Sequence, residues 1–553
     1  MTVEAPAHDK PLSEVTPLLV KPKCDDDESN EKSAQRAISS LQAVAVGCGI
    51  WIMILLQSSN ISGMTMIQGS IAEDFHMHDN PMWLSTSFII PVSALAPFIS
   101  RLAATFSPRA VITPMVTCVA AGSLISGLAT SLNTFLIGRV ISGIGYAGVL
   151  PLSVVFIIEF TTGKSRGIFV GMFNTGATIG VSVGAALFGA LLPMIGWRPL
   201  FWIQAPLILF SGVGTYRSLP TDEEPGAETT RQKARRVDYL GAILLTTTIV
   251  LFLYGLAGEI KRVPLLQSLI SLIAFLVVER FFAAEPIIPL NVLLSKDVML
   301  ICFSQLGFMS TRWLVIFYAP IFMLAVGGAA PATAGTIIIP TNLGFAIGGI
   351  SIGCLHVRRS GSFWRPSVVA ITGFSITVFL LAAISKTQVS VSAFVIVVFA
   401  NGFATGATLN YTLAHLLYCT PDRNSQYVAT SLVSTFRSFA GSFGATIGGG
   451  AFYSLLGTGL REGFLEVDGG LELSPSREKL IARLLTSPAL VFNSGLNPQD
   501  QEVAAEGYAE AIKGLWQVAA LLTVFVLIMQ ALTSRDRISK VSVEVVHQEQ
   551  EQE

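Results

Sequence analysis

Runs of about twenty apolar residues, separated by short polar breaks, fill the chain from residue 43 to residue 533. A helix of about twenty residues rises about 30 Å, the thickness of a bilayer's hydrocarbon core, so each run predicts a membrane-spanning helix. Six such runs fall at 43–70, 83–104, 111–130, 134–159, 168–192 and 199–217. After a charged linker come two at 239–258 and 264–282, and then six at 298–324, 332–355, 367–385, 391–417, 427–456 and 513–533. The pattern predicts an all-α integral membrane protein of about fourteen spans. Its expected parts are a six-helix bundle over 43–217, a cytosolic linker over 218–238, two inserted helices over 239–282 and a second six-helix bundle over 283–533. The polar ends, 1–42 and 534–553, hold too little apolar surface to offset chain entropy and are expected to be disordered tails.

Composition agrees with a lipid environment: 52% of the residues are hydrophobic and only 13% charged, about half of what a water-facing surface of this size requires. A net charge of −1 gives no reason to expect a nucleic-acid partner. Basic residues gather in alternate short loops, at Arg101 and Arg109, Lys164 and Arg166, Arg217 and Arg231, Arg358 and Arg365, which places those loops and both tails in the cytosol. The segment 457–512 then lies on the opposite side as a long loop with a short helix near 476–485, where it could cap the exit. The six cysteines are scattered singly and read as small core residues; nothing in their spacing suggests a metal, and no cofactor is expected. In the N-terminal tail, Glu14-Val-Thr-Pro-Leu18-Leu19 matches the acidic dileucine pattern by which sorting adaptors divert membrane proteins to the vacuole or lysosome.

Few polar residues interrupt the spans. Arg139 sits in Gly138-Arg139-Val-Ile-Ser-Gly143-Ile-Gly145 of the fourth span, and a guanidinium in lipid costs several kcal/mol unless it finds a partner. The nearby small residues would let a neighbouring helix approach closely enough to supply one. Either helix packing or coupling explains Arg139, and the same holds for Arg437. Glu159 closes that span, either paired with Lys164 or Arg166 or carrying a proton. Gln57 and Asn60 lie in a polar cluster of the first span, as helix–helix hydrogen bonds or as path lining. Gly176, Gly180 and Gly184, with Gly189 nearby, fall near one face of the fifth span and predict a close helix contact. Arg312 stands alone in apolar sequence: facing a cavity it would suit an anionic group, and snorkelling to a water interface it would say nothing about solute. Trp83, Trp313 and Trp364 are assigned as interface anchors.

Together, Gly138-Arg139-x-x-x-Gly143-x-Gly145, Glu159 with Arg166-Gly167, and Gly180-x-x-x-Gly184 resemble the proton-antiporter motifs of the major facilitator superfamily. Arg437-Ser-Phe-Ala-Gly441-Ser-Phe-Gly444, Gly196-Trp197-Arg198-Pro199-Leu200-Phe201 and Glu279-Arg280 through Glu285-Pro-Ile-Ile-Pro289 resemble its fourteen-span drug:proton antiporter branch. Within that branch the chain is most similar to fungal vacuolar basic amino acid transporters and multidrug or metabolite efflux carriers. The resemblance covers roughly residues 40–533 and implies proton exchange for a small solute. Three departures bear on it. Asn60 stands where the family's first span usually has an acid, Ser100 to Arg109 lack the glycines and aspartate of the family's gating loop, and Ala185 and Ala186 replace the proline that follows the fifth-span motif.

The residues point to a carrier that moves a small organic solute out of the cytosol, with protons and the lipid bilayer as its other expected partners and Gln57, Asn60, Arg139, Glu159, Arg312 and Arg437 as path or coupling residues. Entry of basic amino acids into the vacuole is the second reading, and a transport-defective sensor or scaffold the third. With few histidines and neither a metal-ligand cluster nor a Ser/His/Asp set, an enzyme is not expected.

Overall fold

The computed structural model describes residues 39–534 apart from 78–81, 161–162, 220–237, 257–260, 283–294, 356–361, 387–389, 421–422, 470–472 and 494–495. Its regular structure, among the described residues, is helical throughout. The first helix, α1 (Ser40–Asp74), begins with a capping box in which the Gln42 amide donates to the Ser39 side chain (3.2 Å) and the Ser39 amide donates to the Gln42 side chain (3.0 Å). Two amides that a helix start leaves unpaired are thereby satisfied. Then follow α2 (Met82–Thr105), α3 (Pro108–Gly127), α4 (Leu132–Tyr146), α5 (Val149–Phe160), α6 (Gly163–Ile195), a short α7 (Arg198–Trp202) and α8 (Gln204–Ser218). The pair α9 (Tyr239–Leu256) and α10 (Arg262–Phe281) precedes α11 (Lys296–Ala325), α12 (Pro331–Thr336), α13 (Ile338–Leu355), α14 (Trp364–Ile384) and α15 (Val391–Cys419). Last come α16 (Arg423–Asp468), α17 (Pro475–Thr486), α18 (Leu490–Asn493) and α19 (Pro498–Ala531).

All fourteen expected segments are therefore helical, and 12 stretches among the described residues are long and apolar enough to cross a membrane. The sixth segment falls short because a break at Ile203 divides α7 from α8, and glycine and serine dilute the thirteenth, in α16. In packing, α1 lies on α6 and α8, α3 on α4 and α8, and α2 on α4. Later in the chain α13 and α14 lie on α15, while α11 lies on α16 and α19. The early and late helices meet chiefly through α6–α12 and α2–α16, with lighter contacts of α6 with α13 and of α1 with α11. The inserted pair packs on itself, and α9 also touches α2 and α16. Large apolar side chains such as Phe210, Leu266, Val369 and Leu521 point outward, as lipid rather than water allows.

Two expectations are corrected. The segment 457–512 is less a loop than an extension of helices: α16 and α19, with 46 and 34 residues, run about 69 and 51 Å at 1.5 Å per residue, well beyond a bilayer core. Their overhangs bury Leu460, Phe464 and Tyr508, and α17 is clamped between them, the Tyr508 hydroxyl donating to the Leu484 carbonyl. Arg477 donates to Asp468 (3.0 and 3.1 Å) and Asp500 (2.7 Å), and Ser487 abuts Gly69 near the end of α1. Of the described cysteines, Cys302 is buried as expected, but Cys48 is exposed and Cys118 and Cys419 are half-buried. A lipid-facing position is as apolar as a core one, so hydrophobicity alone does not send cysteine inward.

Candidate functional site

Arg139, 1% exposed, stands at the head of a chain of polar groups. Its Nη1 donates to Asn60 Oδ1 on α1, Asn60 Nδ2 donates to Gln204 Oε1 on α8 (2.8 Å), and Gln204 Nε2 donates to the Leu200 carbonyl (2.7 Å). Each amide accepts on the side facing the cation and donates on the other, so the dipoles align with the charge. The guanidinium also lies over Phe88 (4.4 Å) and Phe201 (5.5 Å), whose π faces add attraction without a counter-charge. The Gly196-Trp197-Arg198-Pro199-Leu200-Phe201 motif makes this geometry. Gly196 has φ +74°, which favours glycine, and turns the chain out of α6. Trp197 then packs edge-on against Phe75 and Phe135, both at 5.6 Å, and Arg198 pairs with Asp74 (2.8 Å), which brings Leu200 and Gln204 beneath α1.

The second arginine is arranged differently. Arg312, 8% exposed, donates from Nη2 to Asn342 Oδ1 on α13 (2.8 Å) and lies over the Phe345 ring (3.8 Å). Asn342 Nδ2 donates onward to Ser182 Oγ (2.8 Å) and the Thr178 carbonyl (3.4 Å), both on α6. Arg312 is thus held against protein at the seam between early and late helices, which removes the snorkelling alternative. Its Nη1 is buried without a hydrogen-bond partner among the described residues. Arg437 on α16, half-buried, lies within electrostatic range of it. Elsewhere along the same seam Gln68 donates to the Tyr453 hydroxyl (3.4 Å) and Ser93 shares a hydrogen bond with Ser442 (2.6 Å). A cavity of about 30 Å³ opens there among Thr65, Gln68, Ser85, Tyr318, Ala445 and Tyr453, room for about two waters.

The glycines seat the helices that bear these groups. Gly176 faces Trp51, Gly180 faces Leu55 and Ser58, and Gly184 faces Ser59 and Ser62, so the fifth-span stripe receives α1. Ser59 Oγ donates to the Gly180 carbonyl (3.0 Å) across that contact. Gly189 does not share it, lying instead on the Pro331 carbonyl at the start of α12. Gly441 and Gly444 receive Ser310 and Trp313 of α11. Trp313 is therefore not an interface anchor: its indole fills the notch left by the glycines and stacks on Phe317 (5.6 Å). Gly143 and Gly145 seat α2 and α3, at the Phe88 and Met115 carbonyls, whereas the partner of Arg139 arrives on α1.

The profile described as Major Facilitator Superfamily matches residues 49–445. The chain belongs to this superfamily. Its sequence is 24% identical to the MFS transporter L2 of Phoma sp. over 532 residues, covering 93% of this chain and 86% of the relative. Identity is 25% to Multidrug resistance protein 3 of Bacillus subtilis (88% and 93% covered) and 24% to Vacuolar basic amino acid transporter 1 of Saccharomyces cerevisiae (62% of each). In fold it is similar to a bacterial homolog of the human lysosomal transporter Spinster, captured inward-facing and unoccupied, with TM-score 0.59, 16% identity and coverage of 90% of this chain and 98% of that one.

Against the candidates of the sequence, this superfamily member joins Asn60 to Arg139 and places Arg312 near Arg437. Gln57 is buried on α1 but has no part in the chain of hydrogen bonds running from Arg139. Glu159 belongs to α5, with its side chain outside the described residues, as are Glu14, Leu18 and Leu19. Gln204, Asn342 and Ser182 were missed. The signal for the first two was an amide standing alone in an apolar run, whereas Gln57 and Asn60 had been singled out as part of a polar cluster.

Proposed function

We propose that this superfamily member is a fourteen-span secondary-active carrier that moves a small organic solute or secondary metabolite out of the cytosol in exchange for protons. The observation that carries the reading is the seam itself. Beside the packing of α6 on α12 and of α2 on α16, helices before residue 218 and after residue 296 share a few exchangeable polar contacts, Asn342–Ser182, Gln68–Tyr453 and Ser93–Ser442, with the buried Arg312 next to the first. Contacts of that kind can break and reform as the bundles over 43–217 and 283–533 rock about a central solute. In this reading Arg139, Asn60 and Gln57 hold the first bundle in a coupling-competent form, Arg312 and Arg437 face the solute, and Glu159 carries the proton. Both tails lie in the cytosol, in the vacuolar or the plasma membrane, with Glu14, Leu18 and Leu19 available to a sorting adaptor. The multidrug relative supports export; the yeast vacuolar relative supports basic amino acids as the second reading.

Uptake by the purified protein in sealed vesicles, with and without an imposed pH gradient, tests this. Gradient-driven accumulation of an organic acid or neutral metabolite is the expected result; accumulation of lysine or arginine selects the second reading. No flux of any solute turns the protein into a sensor or scaffold. Glu159→Gln is expected to stop pH-driven uptake while sparing solute exchange, and an unchanged pH dependence removes Glu159 from coupling.

A further inference from the structure

We propose that the solute is a carboxylate, bound by Arg312 with Arg437 alongside. The proposal rests on the carrier reading above and names the class of solute.

Charge balance carries it. A guanidinium withdrawn from water needs a counter-charge or a full set of acceptors. Arg312 has one neutral acceptor, Asn342, and a buried Nη1 that no described residue accepts. The expected spans of its own bundle offer no counter-charge, because no Asp or Glu occurs in 298–421, 423–461 or 511–535. In the expected spans of both bundles together the sole acid is Glu159, on α5, which packs on α1, α2, α3 and α6. Arg437 adds a second positive charge to the same region, where like charges repel. Glu279, buried on α10, belongs to the inserted pair; a region holding two cations with no acid in the spans of its own bundle is unfavourable empty and is completed by an anion from outside. It is equally unsuited to a cation.

Geometry favours a planar oxyanion at Arg312. Phe345 beneath the guanidinium and Asn342 on one Nη2 hydrogen fix the plane of the fork, leaving Nη1 and the second Nη2 hydrogen to a ligand. A carboxylate accepts from such a fork through two oxygens at once. Arg139 also keeps unpaired nitrogens, Nε and Nη2, but its acceptor Asn60 and its two aromatic faces all come from helices before residue 218, whereas the chain from Arg312 through Asn342 to Ser182 crosses the seam where a solute passes.

The test separates binding from flux. Thermal unfolding of the purified full chain in detergent is followed with acetate, benzoate, citrate, lysine and tetraphenylphosphonium, against chloride at matched ionic strength. At least one of the three acids is expected to stabilise the protein saturably. Its apparent Kd should rise about tenfold in Arg312→Gln and less in Arg312→Lys, since a lysine keeps the charge but not the fork. Arg477→Gln, outside the expected spans, controls for surface charge and should leave the Kd unchanged. Stabilisation by no acid, by the cations alone, or equally in wild type and Arg312→Gln overturns the proposal. Because Arg312→Lys keeps the buried charge, a folding defect confined to Arg312→Gln leaves the test intact. The same panel as labelled solutes in vesicles then tells the two readings apart. Acid binding without flux keeps the anion site and removes the carrier, whereas flux of lysine or tetraphenylphosphonium alone keeps the carrier and removes the anion site.

Discussion

Arg139 and Arg312 are both buried, both stacked on a phenylalanine and both hydrogen-bonded to an asparagine, yet they do opposite things for the molecule. The difference lies in what each asparagine does next. Asn60 passes its hydrogen bond to Gln204 and the Leu200 carbonyl, so the chain starting at Arg139 ends inside the helices before residue 218. Asn342 passes its own to Ser182 and Thr178 on α6, so the chain starting at Arg312 crosses from late helices to early ones. One closes a bundle and the other bridges two. Arg477, outside the expected spans, shows what an arginine does where acids are at hand: Asp468, by hydrogen bond, and Asp500 hold its guanidinium above its ordinary range. Neither membrane arginine has such a partner among the described residues, so the interior relies on amides and aromatic faces where the overhanging helices use ion pairs.

The largest expected effect comes from striking both networks at once. α1 brings Asn60 to Arg139, and α6 brings Ser182 to Asn342; the two helices touch through Gly180, where an added Cβ would stand 2.8 Å from Ser58 Cβ and closer still to the Leu55 carbonyl. Gly180→Leu should cost about 3 kcal/mol in thermal unfolding by overpacking and abolish flux. Near-normal stability would mean that α1 and α6 can separate freely. Next, Arg139→Met should cost about 2 kcal/mol by leaving Asn60 Oδ1 buried and unsatisfied. Arg312→Met should cost less, because it also relieves repulsion with Arg437. Equal losses in the two variants would erase the distinction between a closing and a bridging arginine.

A third, smaller effect concerns coupling. Asn60→Asp gives Arg139 a counter-charge and gives α1 a group that can take up a proton. Uptake by that variant is expected to gain a dependence on the imposed pH gradient beyond that of the wild type, read as the ratio of initial rates with and without the gradient. An unchanged ratio would show that α1 is not where the proton couples.

Much of the architecture was legible because lipid imposes a length and a composition on every span: helices occupy all fourteen segments read from hydropathy alone. Close helix contacts were legible as glycine stripes, but not their recipients, since periodicity identifies a face and not the neighbour that covers it. Gly189 fell near the face of Gly176, Gly180 and Gly184 yet lies on Pro331, and Trp313 looked like an anchor until Gly441 and Gly444 were found opposite it. The overhang of α16 to Asp468 was hidden for a different reason. Beyond the membrane a helix needs only one apolar edge, here Leu460 and Phe464, and a search for apolar runs passes over it. For the site, Arg139 and Arg312 were readable because a charge in lipid is conspicuous. Their asparagines lie 79 and 30 residues away in sequence, a separation that only the folded bundle brings within hydrogen-bond reach.

The smallest effect probes the bridge alone. Ser182→Ala removes the 2.8 Å hydrogen bond from Asn342 and leaves the weaker one to the Thr178 carbonyl at 3.4 Å. One such bond contributes about 1 kcal/mol, so a state in which it is made should lose population about fivefold against one in which it is broken. That shift is small for unfolding and large for a carrier whose cycle depends on two states of similar free energy. It can be read as a change in the alkylation rate of a cysteine placed at Thr178, on the α6 side of the seam, in a background cleared of the other reactive cysteines. An early–late contact that opens in the cycle predicts faster labelling in Ser182→Ala, while Asn60→Ala, which weakens only the first-bundle chain, should leave the rate unchanged. If both variants label alike, the Arg312 chain is a fixed brace like that of Arg139, and the moving contact must be sought at Gln68–Tyr453 or Ser93–Ser442 instead.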